Sequence, residues 1–365
     1  MSDVIALPES RPARRTAVAG VLIAVALFAA GLLWSKWLPY GAKLGELGAS
    51  NTWVGSSILT VGGVQPGDAP SWNAATTFAW TYGQAVWKAL LTALVIAAAV
   101  QALVPRAWLL RVLNRRTQLG AAAVGGLVSA PSMMCTCCSA PVAVTLRRSG
   151  VSTAAAVAYW LGNPLLNPAV LAFLVLVAPW QWASTRLVVA LFVVIGGAAV
   201  VGWLVEGRRV PTADVPEVLR LSAAENPVDD AWLVGAPARF GRALLKLGIV
   251  LVPEYLVVVF LLGAFRGWLF QVDALGAGLF AIVVAAIIGT LMVIPTAGEI
   301  PILHGLVLAG LAAGPVGALL VTLPAVSIPG IAMVARAFGW RATLATTAVV
   351  VAGGIAAAGM LVGLA

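Results

Sequence analysis

The distribution of apolar runs leaves this chain little choice of fold class. Seven runs of roughly 20 residues, near 17–34, 78–104, 151–177, 185–205, 243–265, 315–335 and 342–361, alternate with shorter polar stretches, and about 20 apolar residues is what a helix needs to cross a bilayer. Composition agrees, since 61% of the residues are hydrophobic and only 10% charged, which excludes an ordinary soluble globule. Hydrocarbon offers no partner to a backbone N–H or C=O, so spans of this kind close their hydrogen bonds within themselves as helices. The expectation is an all-α polytopic protein of the lipid bilayer.

Two further apolar stretches do not fit that rule. Residues 119–134 stop at Pro131 and a cluster of cysteines, and the next apolar piece, 142–146, meets Arg147-Arg148-Ser149-Gly150 almost at once. Neither piece spans alone, so together they read as a re-entrant helical hairpin. A shift of 160 residues produces a second copy: Pro141 falls on Pro301, Gly150 on Gly310, Ala158 on Ala318, Pro164 on Pro324 and Asn167 on Ser327. The cysteine cluster falls on Pro295-Thr296-Ala297-Gly298-Glu299, so one half carries thiols where the other carries a carboxylate. The expected fold is two inverted-topology repeats, each with a re-entrant hairpin, with about seven full spans and two hairpins in all. Repeats of this kind with interrupted helices are how secondary transporters place a site at the midplane.

The net charge of +9 comes mostly from short basic clusters between apolar runs, which is the pattern that orients membrane helices and not a nucleic-acid-binding surface. On the span assignment above, seventeen of the 22 basic residues lie on one side, which is therefore cytoplasmic and holds the N-terminus. Lys36, Lys43, Arg186 and Arg266 lie on the other side, and Lys88 lies within a span. The first run is too long for a signal-peptide core and lacks a small-residue cleavage site, so it reads as a retained helix. The resulting division is a tail, first membrane helix and extracytoplasmic loop over 1–77, a first membrane repeat over 78–205, a cytoplasmic loop over 206–238 and a second repeat over 239–365. Residues 35–77 read as a polar loop. These features place the chain in the plasma (inner) membrane of a prokaryote as a multi-pass protein.

Three cysteines, all of the chain's complement, occupy Cys135, Cys137 and Cys138. An odd number in one apolar stretch is no secreted disulfide framework. As soft sulfur donors they suit thiophilic centres such as Cu(I), Zn(II) or trivalent arsenic and antimony, and the irregular backbone of a hairpin tip lets closely spaced side chains converge. Packing as small hydrophobes is the plain alternative. Glu299, at the tip of the second hairpin, is a candidate for proton coupling because an intramembrane acid is expensive unless paired, protonated or hydrated. His304, the only histidine, is a candidate proton relay. Asn163 and Asn167, each followed by proline, line an under-bonded stretch of helix where their amides either bind solute or tie the backbone together. Ser327 is the repeat mate of Asn167. Arg147 and Arg148 read as fixing the hairpin turn, and Lys88 and Glu254, in equivalent spans, are a candidate pair.

At these residues the chain resembles the ArsP-type predicted permease family, membrane proteins associated with efflux of trivalent organoarsenicals. The resemblance rests on Cys135-Thr136-Cys137 with Ser139-Ala140-Pro141, on Leu146 to Gly150, on Gly162-Asn163-Pro164-Leu165-Leu166-Asn167-Pro168, and on Ile294 to Pro301 through Gly310. It covers roughly 119–336. Cys138 and the long 35–77 stretch are additions to the family pattern.

The resemblance implies a permease, not an enzyme, that exports a small thiol-reactive metalloid or organoarsenical-type solute, with no cofactor beyond coupled protons. Two other functions fit the cysteines. Cys135-x-x-Cys138 has the spacing of a redox pair, which a membrane thiol–disulfide carrier would use, and the three thiols with His304 are ligand types suited to a zinc site. No Gly-x-x-x-x-Gly-Lys-Ser/Thr element is present, so ion coupling or facilitated diffusion is expected in place of ATP hydrolysis.

Overall fold

A computed structural model describes residues 11–53, 57–208, 232–269 and 278–365. The extreme N-terminal tail, most of the predicted cytoplasmic loop (209–231) and the lead-in to the second predicted hairpin (270–277) lie outside the described residues. All secondary structure among the described residues is helical. Six helical stretches are long and apolar enough to cross a membrane, and a seventh is added if Ala313–Ala325 and Ile328–Phe338, bent by 53° at their junction, count as one span.

The first helix, α1 (Arg11–Leu32), passes through a π-helical turn at Leu33–Trp37 directly into α2 (Leu38–Ser50). The predicted polar loop over 35–77 is therefore helical as far as Ser50. Pro39 sits in the first turn of α2, directly after the π-helical turn, where it lacks the N–H that would bond back to that turn. Leu47 is buried, Tyr40 packs edge-on against Phe173 with centroids 5.8 Å apart, and the helix ends at Asn51 in a left-handed conformation. A composition-based reading weighs Gly41, Lys43, Gly45 and Gly48 as loop residues; tertiary packing of the intervening apolar face overrides them.

After α2 the chain follows one order of elements twice. A long helix, α3 (Trp72–Leu103), leads through the short α4 (Arg106–Leu113) to two short helices, α5 (Gln118–Ser129) and α6 (Thr136–Arg148). A proline-interrupted pair follows, α7 (Thr153–Leu165) and α8 (Pro168–Val177), and then α9 (Trp180–Leu191) and α10 (Ala198–Glu206), joined by a π-helical stretch. The second set is α11 (Ala236–Leu269), the short α12 (Leu279–Leu291) and α13 (Glu299–Leu308), the bent pair α14 (Ala313–Ala325) and α15 (Ile328–Phe338), and α16 (Trp340–Leu364). The two long helices α3 and α11 pack on each other more extensively than any other pair of the described helices.

Small residues set the helix spacing, as they do wherever lipid gives no hydrophobic drive for association. A Cβ at Gly125 of α5 would lie 2.2 Å from the carbonyl oxygen of Ala155 in α7. In the matching pair, a Cβ at Gly289 of α12 would lie 2.0 Å from Oγ1 of Thr322 in α14. The turn after α6 is pinned by side chains: Arg106 Nε donates to Ser149 O at 2.7 Å, Asn114 Nδ2 to Gly150 O at 3.2 Å, and Arg147 pairs with Glu206 at 3.1 Å.

Three of the four basic residues assigned to the outer surface are instead interior. Lys36, Arg186 and Arg266 are 6%, 0% and 1% exposed. Arg266 ties its own helix to the segment before α3, donating to the carbonyls of Leu59 (2.9 Å), Gly263 (2.9 Å), Val61 and Ala74. Lys88 and Glu254 do not pair: the Lys88 ammonium lies over the rings of Trp34 and Trp87, and Glu254 is 3.8 Å from Arg336.

Candidate functional site

Both sets of short helices are interrupted by non-helical backbone, and each interruption contains a non-glycine residue in the left-handed region. Met133 (φ 50°) lies three residues before α6, and Ala297 (φ 67°) two residues before α13. Such conformations cost of order 1–3 kcal/mol and persist only where the surroundings over-determine them. The first interruption delivers Cys135 to the N-cap of α6 and Cys137 and Cys138 to its first turn; the second makes Glu299 the first residue of α13. Negative charge is stabilised at helix N-termini, which suits Glu299.

The structure brings the three thiols together. Cys135 Sγ is 3.2 Å from Cys137 Sγ and 2.9 Å from Cys138 Sγ, and all three sulfurs lie within 4.8 Å of one another. All three are free and buried. Tyr82 of α3 places its hydroxyl 3.2 Å from Cys137 Sγ, and Tyr255 of α11 places its own at 3.7 Å. The α3–α11 pair thus puts one hydroxyl from each partner on the same sulfur. Three sulfurs grouped this closely are a ligand set that could open around a three-coordinate soft centre. His304 is not among the groups close enough to share an ion with them, so the described residues supply no fourth ligand of the kind a structural zinc needs.

Glu299 is 1% exposed, and its Oε1 accepts from Arg186 Nη1 at 2.5 Å. Arg186 reaches across from α9, donating also to Pro164 O at 2.7 Å and toward Leu165 O at 3.5 Å. The Pro164 carbonyl is available because its helical partner would be the absent N–H of Pro168. The equivalent carbonyl of the other set, Pro324 O, accepts from Thr136 Oγ1 at 2.5 Å. Each broken helix is therefore completed by a side chain from elsewhere. Glu299 Oε2 is buried with no protein partner.

A small cavity of about 10 Å³, the room one water needs, joins the two interruptions. It is lined by Cys135 and Cys137 from the first, by Pro295, Thr296 and Glu299 from the second, and by Ser327. Ser327 Oγ is also buried without a partner. Of the residues named from sequence, Cys135, Cys137, Glu299 and Ser327 thus meet at one place, with Cys138 hydrogen-bonded to Cys135 behind them. Asn163 and Asn167 do not line the cavity. Asn163 accepts from Met134 N (3.4 Å) and donates to Tyr159 O (2.8 Å), bracing the first interruption. Asn167 caps α8, accepting from Ala169 N (3.0 Å) and Val170 N (3.3 Å). Both therefore tie backbone together. His304 is half-buried, edge-on to Trp182 with centroids 5.4 Å apart, and does not line the cavity.

Sequence reasoning missed Lys36, Tyr82, Tyr255 and Arg186. A usable signal existed for the tyrosines: the chain has only four, and all four touch this region, Tyr40 through Lys36 and Tyr159 through Ser132. A buried tyrosine hydroxyl in a largely apolar chain needs a polar partner, which makes each one a pointer.

The predicted-permease family ArsP_1 matches residues 71–364. The chain is similar to the UPF0718 protein YraQ of Escherichia coli (strain K12), 40% identical over 334 residues, a match that covers 91% of each chain. No solved structure matches it.

Proposed function

This chain belongs to the ArsP-type family of predicted permeases, a multi-pass membrane protein, and from that premise we propose that it is a secondary transporter exporting a small thiol-reactive solute of the metalloid or organoarsenical type. The observation that carries the reading is the single cavity shared by thiols from one interruption and a carboxylate from the other. In this reading the interruptions are the tips of two re-entrant hairpins that belong to inverted repeats and meet at the midplane of a bacterial inner membrane, with the N-terminus cytoplasmic. Non-helical backbone at that depth is stable only where protein or a polar cavity surrounds it, as here.

The solute is held by exchange of its labile oxygen or thiol ligands, which leave as water or thiol with the cysteine protons: Cys135 with Cys137 or Cys138 for a monoorganoarsenical, whose third bond is to carbon, and all three for an inorganic centre, while Ser327 supplies a hydroxyl to its polar edge. Glu299 couples transport to protons. Protonation neutralises the carboxylate that Arg186 holds, so the contact between the two halves weakens as the proton arrives; deprotonation on the other side restores it. Asn163 and Asn167 serve as scaffold. A thiol–disulfide carrier is favoured by one observation, the 2.9 Å approach of Cys135 and Cys138; it predicts a disulfide that cycles during turnover.

The test is uptake by everted membrane vesicles of phenylarsine oxide, antimonite and methylated arsenicals under an imposed proton gradient. Wild type should accumulate at least one of these. Glu299→Gln should lose the response to the gradient, and the Cys135→Ser, Cys137→Ser, Cys138→Ser triple variant should lose uptake. Undiminished uptake by the triple variant would refute the thiol site, and an unchanged gradient response in Glu299→Gln would refute the coupling role.

A further inference from the structure

Among the described residues, Lys36 is a buried cation with no carboxylate partner. Its ammonium, on the π-helical turn between α1 and α2, donates to Tyr40 Oη at 2.9 Å and Thr296 Oγ1 at 3.0 Å, and lies 5.1 Å from the Tyr40 ring centroid. Thr296 lines the same cavity as Cys135 and Glu299. The next residue, Trp37, donates from Nε1 to Pro131 O at 2.8 Å, so this one turn touches both interruptions. It lies outside the stretch that matches the permease family, 71–364. π-Helical turns are rare and concentrate at functional sites.

A charge account of the region gives a direction. The ionisable groups facing it are Tyr40 on Lys36, Tyr82 and Tyr255 on Cys137, the three thiols, and the Arg186–Glu299 pair; Thr296 adds a neutral hydroxyl. Arg186 and Glu299 cancel. Lys36 remains, a buried positive charge beside a site for solute that meets two hydroxyls and, among the described residues, no carboxylate, and a buried charge without an acidic partner is costly.

We propose that Lys36 makes the thiol site an anion-accepting one: the solute class is a thiophile that brings one negative charge to the cavity, either as an acidic group beside its soft centre or as the anion its adduct becomes. This deepens the transport reading and rests on the cysteine tip being where solute sits. Lys36 is a positioning residue, bound to the second tip through Thr296 and neutralised by cargo on the first.

The three cysteines are the chain's only thiols, so charged thiol reagents report on this site without background. The experiment measures modification rates of the full-length protein in lipid nanodiscs, at fixed pH, by sulfonatoethyl methanethiosulfonate (anionic), trimethylammonioethyl methanethiosulfonate (cationic) and the neutral methyl reagent. The ratio of anionic to cationic rate cancels the intrinsic reactivity of the thiols. Wild type should favour the anionic reagent, Lys36→Gln should lower the ratio at least about tenfold, as expected for a unit charge in a partly shielded interior, and Lys36→Arg should restore it.

Equal rates or a cationic preference in wild type would overturn the proposal, as would a ratio unmoved in Lys36→Gln. Absence of any reaction in wild type would overturn it too, because a solute site must open to one face. Where Lys36→Gln does not fold, the wild-type ratio and the Lys36→Arg ratio still decide. Failure of the transport reading is separable: uptake that survives loss of the cysteines would refute transport through the thiols while the charge preference still followed Lys36.

Discussion

The Arg186–Glu299 pair is the most exposed point of the argument, because it joins the two halves and its energetics follow directly from its geometry. Arg186→Leu leaves the Glu299 carboxylate without its one protein partner and strips donors from the Pro164 and Leu165 carbonyls. Removing one member of a buried pair costs about 3–5 kcal/mol. Glu299→Leu leaves the guanidinium with two carbonyl acceptors, so its cost is smaller, about 2–3 kcal/mol. In the double variant the remaining penalty is the two carbonyls alone, about 1–3 kcal/mol. The cycle therefore predicts a coupling energy of about 2 kcal/mol or more, with the double variant more stable than Arg186→Leu. The assay is reversible unfolding in mixed micelles, followed by fluorescence of the 14 tryptophans. A coupling energy below about 0.5 kcal/mol, the scatter expected of independent sites, would show that the two groups do not hold the halves together.

Two further perturbations test the scaffold. Gly125→Ala directs a methyl at the backbone oxygen of Ala155, which cannot rotate away; it should cost about 1–3 kcal/mol in the same unfolding assay and change thiol modification rates, since α5 leads into the cysteine interruption. A variant as stable as wild type would mean that α5 and α7 are not in close contact. Asn167→Ala removes the cap of α8 and should cost about 1–2 kcal/mol while leaving the KM for solute unchanged, whereas a raised KM at normal stability would return Asn167 to the solute site.

The positions of the helices were readable because they rest on run length, and the bilayer requirement admits few alternatives. The interruptions were readable for a related reason: Pro131, Pro164, Pro295 and Pro324 stand where apolar runs are too short or must bend, and proline removes the N–H that a helix would need. What failed was the segment after α1. Gly41, Lys43, Gly45 and Gly48 read as loop, but Leu47 and Tyr40 are held in a helix by contacts with residues far away in the chain, which no local pattern displays.

The same limit explains the site. Cys135, Cys137, Glu299 and Ser327, which line one cavity, were nameable in advance because each is an unusual residue at a break in an apolar run. Lys36 and Arg186 were misplaced because a rule that counts basic residues treats every lysine and arginine near the end of an apolar run as a surface charge. That rule is sound in aggregate and silent about an individual side chain. Arg186 lies six residues into α9 and Lys36 two residues beyond the first apolar run, so both pass the count while their heads turn inward. What distinguishes them is the presence of an interior acceptor, a carboxylate and carbonyls for Arg186, and two hydroxyls for Lys36. Those acceptors come from 21 to 260 residues away, apart from Tyr40. Charges near the breaks of a protein like this one are therefore better weighed as possible partners of the breaks than as markers of sidedness, and the anion preference assigned to Lys36 follows from that change of weight.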